Sequence, residues 1–191
     1  MEVILASQSP RRKELLGLFH IPFVIRVPDA DETMDPNASP AQQVAQVSRR
    51  KAEAIPRMPE DVVIAADTIV VCNGQILGKP TDAEDASRML HLLSGRDHQV
   101  MTGMTVMRGD RCLTCTEITD IHFRCLSDKE INAYIRTGEP MDKAGSYGIQ
   151  GGAALFADKM VGDYYNVMGL PVCRLGLLLK EIAPDIMEET E

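Results

Sequence analysis

A carboxylate in the middle of an apolar run is the first chemical oddity of this sequence. Asp67 stands within residues 62–72, VVIAADTIVVC, which lack polar alternation and read as a strand buried on both faces of a sheet. An acid there costs several kcal/mol unless something pairs with it. Two readings fit: a structural Asp hydrogen-bonded to backbone amides at a strand end, or a functional group that opens onto a pocket. In the second case the carboxylate can activate water or hold a divalent cation, and both roles call for cationic and hydroxyl groups nearby.

Such groups stand at a few places. Ser7-Gln8-Ser9-Pro10-Arg11-Arg12 follows a short apolar run, residues 2–6. Ser9 suits a helix N-cap with Pro10 at the first helical position, so a strand runs into a turn that opens a helix. Free backbone N–H groups and the positive helix end then point to the strand's C-terminal edge, where a phosphate binds well. The hydroxyls of Ser7 and Ser9 and the guanidinium groups of Arg11 and Arg12 strengthen that site; a capped helix with two solvated arginines is the plainer alternative. Asp29, Asp31 and Glu32 form an acidic loop, either simply solvated or placed to hold Mg²⁺ or Mn²⁺ against phosphate oxygens. Ser39-Pro40-Ala41-Gln42 is a capping box that opens a helix ending in Arg49, Arg50 and Lys51. These cations complement the helix dipole, and Lys51 can equally reach into a cleft. Asn73-Gly74 signals a hairpin whose second arm brings Lys79 back toward the strand of Asp67. Four glycines between Gly145 and Gly152 shape a backbone for close approach, with Lys143 and Gln150 as the long polar groups there.

Positioning these residues takes alternating strands and helices. Residues 23–27 read as a second strand, and Asp82 caps a helix through Met89, Leu90 and Leu93 that stops at Gly95. Residues 99–107 and 112–124 form an antiparallel pair, after which Ser127-Asp128-Lys129-Glu130 opens a helix through Ile131, Tyr134 and Ile135. A strand over 155–161 and a helix from Pro171, with Leu175, Leu178, Leu179 and Ile182 inward, complete the order; the acidic tail 187–191 reads as frayed. No repeat or linker intervenes, so residues 1–191 read as a single α/β domain with a mixed, twisted sheet and flanking helices.

The net charge of −8 argues against a protein whose main partner is bulk nucleic acid, which needs a broad basic surface, but not against one that takes a small phosphate ligand. No apolar run approaches the ~20 residues of a membrane span. The basic residues near the N-terminus follow the apolar run instead of preceding it, the reverse of a secretory signal, so the expected compartment is the cytoplasm. Five cysteines in no framework spacing suit reduced thiols there. Cys112 and Cys115 fall in a strand-like run with side chains on opposite faces, which argues against joint metal binding. The four histidines show no metal-ligand spacing either.

Ser7-Gln8-Ser9-Pro10-Arg11-Arg12, Ala66-Asp67-Thr68, Gly78-Lys79-Pro80 and Lys143-Ala144-Gly145-Ser146-Tyr147-Gly148-Ile149-Gln150-Gly151 together resemble the ordered signatures of the Maf family of nucleoside triphosphate pyrophosphatases. Gly169-Leu170-Pro171 fits as well, and Ser146 departs from the common Ala. The match is nearest the bacterial dTTP/UTP pyrophosphatase branch, whose last motif carries Gln; a sister branch acting on methylated GTP has another residue there. The resemblance implies two α/β lobes around a cleft, similar to inosine triphosphate pyrophosphatases, and a homodimer. It implies hydrolysis of dTTP, UTP and modified pyrimidine triphosphates to the monophosphate and pyrophosphate, which keeps unwanted nucleotides out of nucleic acid. Asp67 is then the proton acceptor, and Arg11, Thr68 and Gln150 set substrate choice.

Ser7, Arg11, Arg12, Lys51 and Lys79 can neutralise the triphosphate, while Glu32 and Asp67 can hold Mg²⁺ or Mn²⁺. The Gln150 carboxamide offers an acceptor and a donor side by side, matching N3–H and O4 of uracil or thymine and mismatching cytosine. A nucleotide-binding regulator of cell division without turnover is the competing class, since family members have been linked to septum inhibition. A dinucleotide-binding oxidoreductase fits poorly, because no G-x-G-x-x-G turn follows the first strand.

Overall fold

The computed structural model describes residues 1–188. Short local signals place most of its elements. Strand β1 (Val3–Leu5) runs into helix α1 (Pro10–Gly17), which starts where expected, with Ser9 as N-cap and Pro10 in its first turn. Strand β2 (Val24–Ile25) is shorter than the run 23–27 suggests, and both residues are exposed. It pairs with β1 alone and forms one sheet edge, where a short strand limits unwanted pairing. Helix α2 (Pro40–Glu53) opens with the complete Ser39/Gln42 capping box and leads into β3 (Val62–Cys72). The two helical crossovers make β1 parallel to both β2 and β3, with Val3, Ile4 and Leu5 opposite Val62, Val63 and Ile64.

Asn73 and Gly74, both with positive φ, turn β3 into the antiparallel β4 (Gln75–Leu77), which pairs Val70 with Leu77. Helix α3 (Ala83–Leu93) is capped by Asp82 and buries Ala86, Met89, Leu90 and Leu93. Strands β5 (Asp97–Arg108) and β6 (Arg111–Phe123) are neighbours joined through Gly109 and Asp110. Helix α4 (Asp128–Arg136) carries the Ser127/Glu130 capping box, and three short 3-10 turns take the chain through the glycine-rich stretch. Strand β7 (Ala157–Val161), helix α5 (Tyr164–Met168), helix α6 (Val172–Ile182) and helix α7 (Pro184–Glu188) follow. The seven-stranded sheet has the order β2-β1-β3-β5-β6-β7, with β4 paired to β3. Residues 187 and 188 of the tail expected to fray continue α7, and 189–191 lie outside the described residues. Among the described residues no helix is long and apolar enough to cross a membrane.

By contacts the chain forms two compact units. The first comprises Met1–Asp67, Thr102–Glu117 and the chain from Gly169 onward. Ile4, Ala6, Ala52, Ile55, Val63, Ala65 and Met107 make one buried cluster in it. Here α2 lies against β5 with no side chain between them at Gly103, where an added Cβ would stand 2.3 Å from the Val44 carbonyl oxygen. Two hydroxyl contacts complete this seat: Ser48 Oγ meets Thr105 Oγ1 at 2.9 Å, and Thr116 Oγ1 donates to the Ala41 carbonyl at 2.9 Å.

The second unit comprises Thr68–Met101 and Ile118–Met168. Its core includes Val70, Leu77, Leu90, Leu93, Ile121 and Phe123, with an aromatic group in which Phe123 stacks edge-on to both His98 and Tyr147 at 4.8 Å. Helix α5, which the sequence did not signal, is held by the buried Asn166, whose amide donates to the Val100 carbonyl and to Thr119 Oγ1, each at 3.0 Å.

Gly103→Ala should destabilise the protein by about 2 kcal/mol, because the new methyl must displace the backbone of α2. Denaturant unfolding measures this, and unchanged stability would mean α2 is not seated there. Burial also pushes His98 down from its ordinary 6.5 to about 4, against the pull of the Arg96 backbone and the Asp97 carboxylate. The unfolded chain therefore takes up this proton first, so the folded state should lose up to ~3 kcal/mol as pH falls from 6.5 toward 4. Melting at pH 7.5 and pH 5 should show that loss, reduced in His98→Gln.

Candidate active site

Strand β3 is buried along its whole length except at Asp67 and Thr68. That interruption marks the site. The Asp67 side chain keeps 13% of its surface, so the carboxylate is enclosed without being sealed. Its partner comes from α2, whose inward face carries Val44, Val47, Ser48, Lys51 and Ala52 at helical spacing. Lys51 continues that apolar stripe, and its ammonium lies 2.7 Å from Asp67 Oδ1 and 3.1 Å from Glu32 Oε1. The three cations at the end of α2 thus separate by face. Arg49 pairs with Glu53 on the exposed side, Arg50 donates to the Thr33 carbonyl, and only Lys51 turns inward.

Glu32 sits in the segment between β2 and α2, which has no regular secondary structure, and its side chain is mostly exposed. Lys51 therefore fastens this loop to the strand of Asp67. Arg12 is held from two directions: Nε donates to the Gly169 carbonyl at 2.8 Å, and Nη1 donates to Ser7 Oγ at 3.4 Å. Ser7 Oγ also accepts the Ser9 N–H at 3.1 Å, so the buried serine ties the turn before α1 to the guanidinium. Burial lowers Arg12 from its ordinary value, while the charges of Asp67 and Glu32 pull it up and Arg11 pushes it down. Ser7, Arg11, Arg12, Glu32, Lys51 and Asp67 therefore form one electrostatic group within the first unit.

Thr68, Lys79 and Gln150 belong to the second unit. Thr68 is half-buried on β3, and Lys79 lies two residues beyond β4, exposed. The Gly78 carbonyl accepts the Gly145 N–H at 3.0 Å, which ties the segment of Lys79 to the glycine-rich stretch. Gln150 is exposed in the turn after Tyr147. Lys143 instead turns back, with Nζ donating to the Glu139 carbonyl at 2.7 Å and to Asp142 Oδ1 at 2.6 Å. Sequence reasoning missed Tyr134 and Glu139, whose side chains hold this stretch. Their signal was indirect: clustered glycines leave room that a neighbouring side chain must fill.

The donor set suits a hard divalent cation. Asp67 and Glu32 present carboxylate oxygens already gathered around one ammonium, and Mg²⁺ or Mn²⁺ commonly takes one or two such groups and completes its shell with water and phosphate. Among the described residues there is no group of three or more acidic, His or Cys side chains placed for a metal. Cys112 and Cys115 are free thiols.

A mixed sheet with flanking helices thus carries a carboxylate braced by cations. A HAM1 protein from Coxiella burnetii has a similar fold, with a TM-score of 0.50 at 17% identity over 95% of this chain and 99% of that one. The Maf-like protein family model matches residues 2–182, and the chain belongs to the Maf family. A dTTP/UTP pyrophosphatase of Symbiobacterium thermophilum is 51% identical over 181 residues, 94% of this chain and 93% of the relative. One of Bacillus pumilus is 51% identical over 174 residues, 91% of this chain and 92% of the relative.

Removing the ammonium should leave the enclosed Asp67 carboxylate without its ion pair, while the mostly exposed Glu32 stays solvated. Lys51→Met is expected to cost about 3 kcal/mol, and Asp67→Asn in the same chain should recover part of that cost. A double-mutant cycle by denaturant unfolding reads the coupling; purely additive costs would show that the pair carries no interaction energy.

Proposed function

We propose that this chain hydrolyses dTTP and UTP to the nucleoside monophosphate and pyrophosphate, with Asp67 as general base. One observation carries the reading: the long buried strand opens only at Asp67 and Thr68, and there the carboxylate is held by Lys51 within the field of Arg12. Family membership and relatives at about half identity that are dTTP/UTP pyrophosphatases support the substrate class.

Asp67 accepts a hydrogen bond from water and takes its proton as the water oxygen bonds to the α-phosphorus. The bond from that phosphorus to the bridging oxygen breaks, and pyrophosphate leaves with the electron pair. Lys51, Arg11, Arg12 and Lys79, with the Ser7 hydroxyl and the amides opening α1, offset the charge on the phosphate oxygens. Asp67 and Glu32 would hold a divalent cation, Mg²⁺ or Mn²⁺, which supplies further charge neutralisation when bound.

Arg11, Thr68 and Gln150 set substrate choice. Gln150 makes no hydrogen bond that fixes its amide among the described residues. Rotated by half a turn, a carboxamide matches cytosine as well as uracil, so the side chain alone does not reject cytosine. The main-chain frame around it must contribute.

The chain acts as one domain in this reading, since each unit is assembled from separate stretches of sequence and the family model spans both. A homodimer in the cytoplasm completes it, in keeping with the family resemblance and with five free cysteines.

Mixing the protein with dTTP or UTP and Mg²⁺ or Mn²⁺ should release pyrophosphate. Asp67→Asn should keep the fold and bind nucleotide while turnover falls at least about a hundredfold. Near wild-type turnover in that variant removes Asp67 from the mechanism, and binding without release in the unaltered protein favours a regulator.

A further inference from the structure

The segment around Gln150 is closed at both ends on one carboxylate. Gly148 N–H donates to Tyr134 Oη at 3.0 Å, and Tyr134 O–H donates to Glu139 Oε1 at 2.9 Å. On the other side Gly152 N–H donates to Glu139 Oε2 at 3.0 Å. Between them Gly151 N–H bonds to the Gly148 carbonyl at 3.1 Å, so residues 148–152 form a tight turn with Gln150 exposed upon it.

The glycines make room for this brace. A Cβ on Gly151 would stand 2.0 Å from Glu139 Oε1, and one on Gly148 would stand 2.6 Å from Lys143 Cε. The brace is itself anchored in packed structure. Tyr134 is buried on α4 with its ring edge-on to Phe156 at 5.2 Å, and Lys143 Nζ holds the Glu139 carbonyl at 2.7 Å. Burial holds the Tyr134 hydroxyl above its ordinary value, so it remains the proton donor to Glu139.

We propose that Tyr134 and Glu139 are positioning residues for base selection: together they fix the turn 148–152 and thereby the place at which Gln150 meets the pyrimidine. This rests on Gln150 reading the base. The side chain of Gln150 can rotate, whereas a turn tied at both ends cannot shift to meet a base of different outline. Loss of the tie leaves the Asp67 carboxylate and the phosphate-binding side chains of the first unit in place, so the effect falls on binding and selectivity.

The experiment measures kcat and KM for UTP and CTP by pyrophosphate release, using the full chain and the variants Tyr134→Phe, Glu139→Gln and Gln150→Ala, with melting as a check on folding. Tyr134→Phe keeps the buried ring and removes only the hydroxyl. It should raise KM for UTP about tenfold with kcat within about threefold, and lower the UTP-to-CTP preference by about tenfold. Glu139→Gln keeps one acceptor oxygen and should fall between Tyr134→Phe and the unaltered chain. Should Glu139→Gln fail to fold, Tyr134→Phe decides.

Unchanged KM and preference in Tyr134→Phe, or a fall in kcat at unchanged KM, overturns the proposal. If Gln150→Ala alters the preference while Tyr134→Phe does not, the brace is rejected and base reading by Gln150 stands. If Gln150→Ala leaves the preference intact, base reading by Gln150 fails and the proposal fails with it.

Discussion

One ammonium group sets what the interior of this sheet can hold. Lys51 meets both Asp67 and the exposed Glu32, and without it the enclosed Asp67 carboxylate would lose its ion pair on a buried strand. Taking such charges out of water is costly, and good pairing geometry is what makes the arrangement tolerable. That geometry depends on α2 lying close to β5, which Gly103 permits and the Ser48–Thr105 contact fixes. A glycine and a hydroxyl on the same strand thus set how closely the helix that carries the amine is seated. On the proposed role of Asp67, folding and chemistry draw on the same contact.

The charge balance of the cluster bears on what it can accept. Lys51, Arg11 and Arg12 against Asp67 and Glu32 leave a formal surplus of one positive charge. A triphosphate carries more negative charge than that surplus neutralises, so a polyanion arriving alone would compete with the carboxylates for their cations. A divalent cation held by Asp67 and Glu32, as proposed, would ease that competition by supplying further positive charge beside Lys51 and the arginines.

Much of this was legible in the sequence because the signals were local. Strand β3 has the bounds that its apolar run indicates, all three Ser caps and the Asp82 cap are occupied, and Asn73-Gly74 makes the turn. The inward turn of Lys51 was present in the spacing Val44, Val47, Ser48, Lys51, yet three cations at a helix end also satisfy the dipole, so the helix alone did not distinguish them. The edge strand β2 came out shorter than its residues suggest, since pairing on one side alone leaves little to extend it. Helix α5 depends on Asn166 reaching Val100 and Thr119, contacts far apart in sequence. The Tyr134–Glu139 brace was hidden for a related reason: its acceptor lies where glycines have no side chain, and an absence at one position does not say which residue fills it.

The two groups of residues proposed to act on phosphate and on the base are held by different means. Arg12, Lys51 and Asp67 sit on regular elements with buried or half-buried side chains fixed by ion pairs and hydrogen bonds. Gln150 is exposed on a turn, and the order there lies in the main chain. Groups that handle phosphate meet the same chemistry in every nucleoside triphosphate, so their positions tolerate little change. A group that reads the base must distinguish ligands differing by a donor or an acceptor, and a braced turn can be altered without disturbing a buried ion pair. On the proposed roles, selectivity on the turn and reactivity on the sheet would let substrate choice vary while the hydrolytic machinery stays fixed.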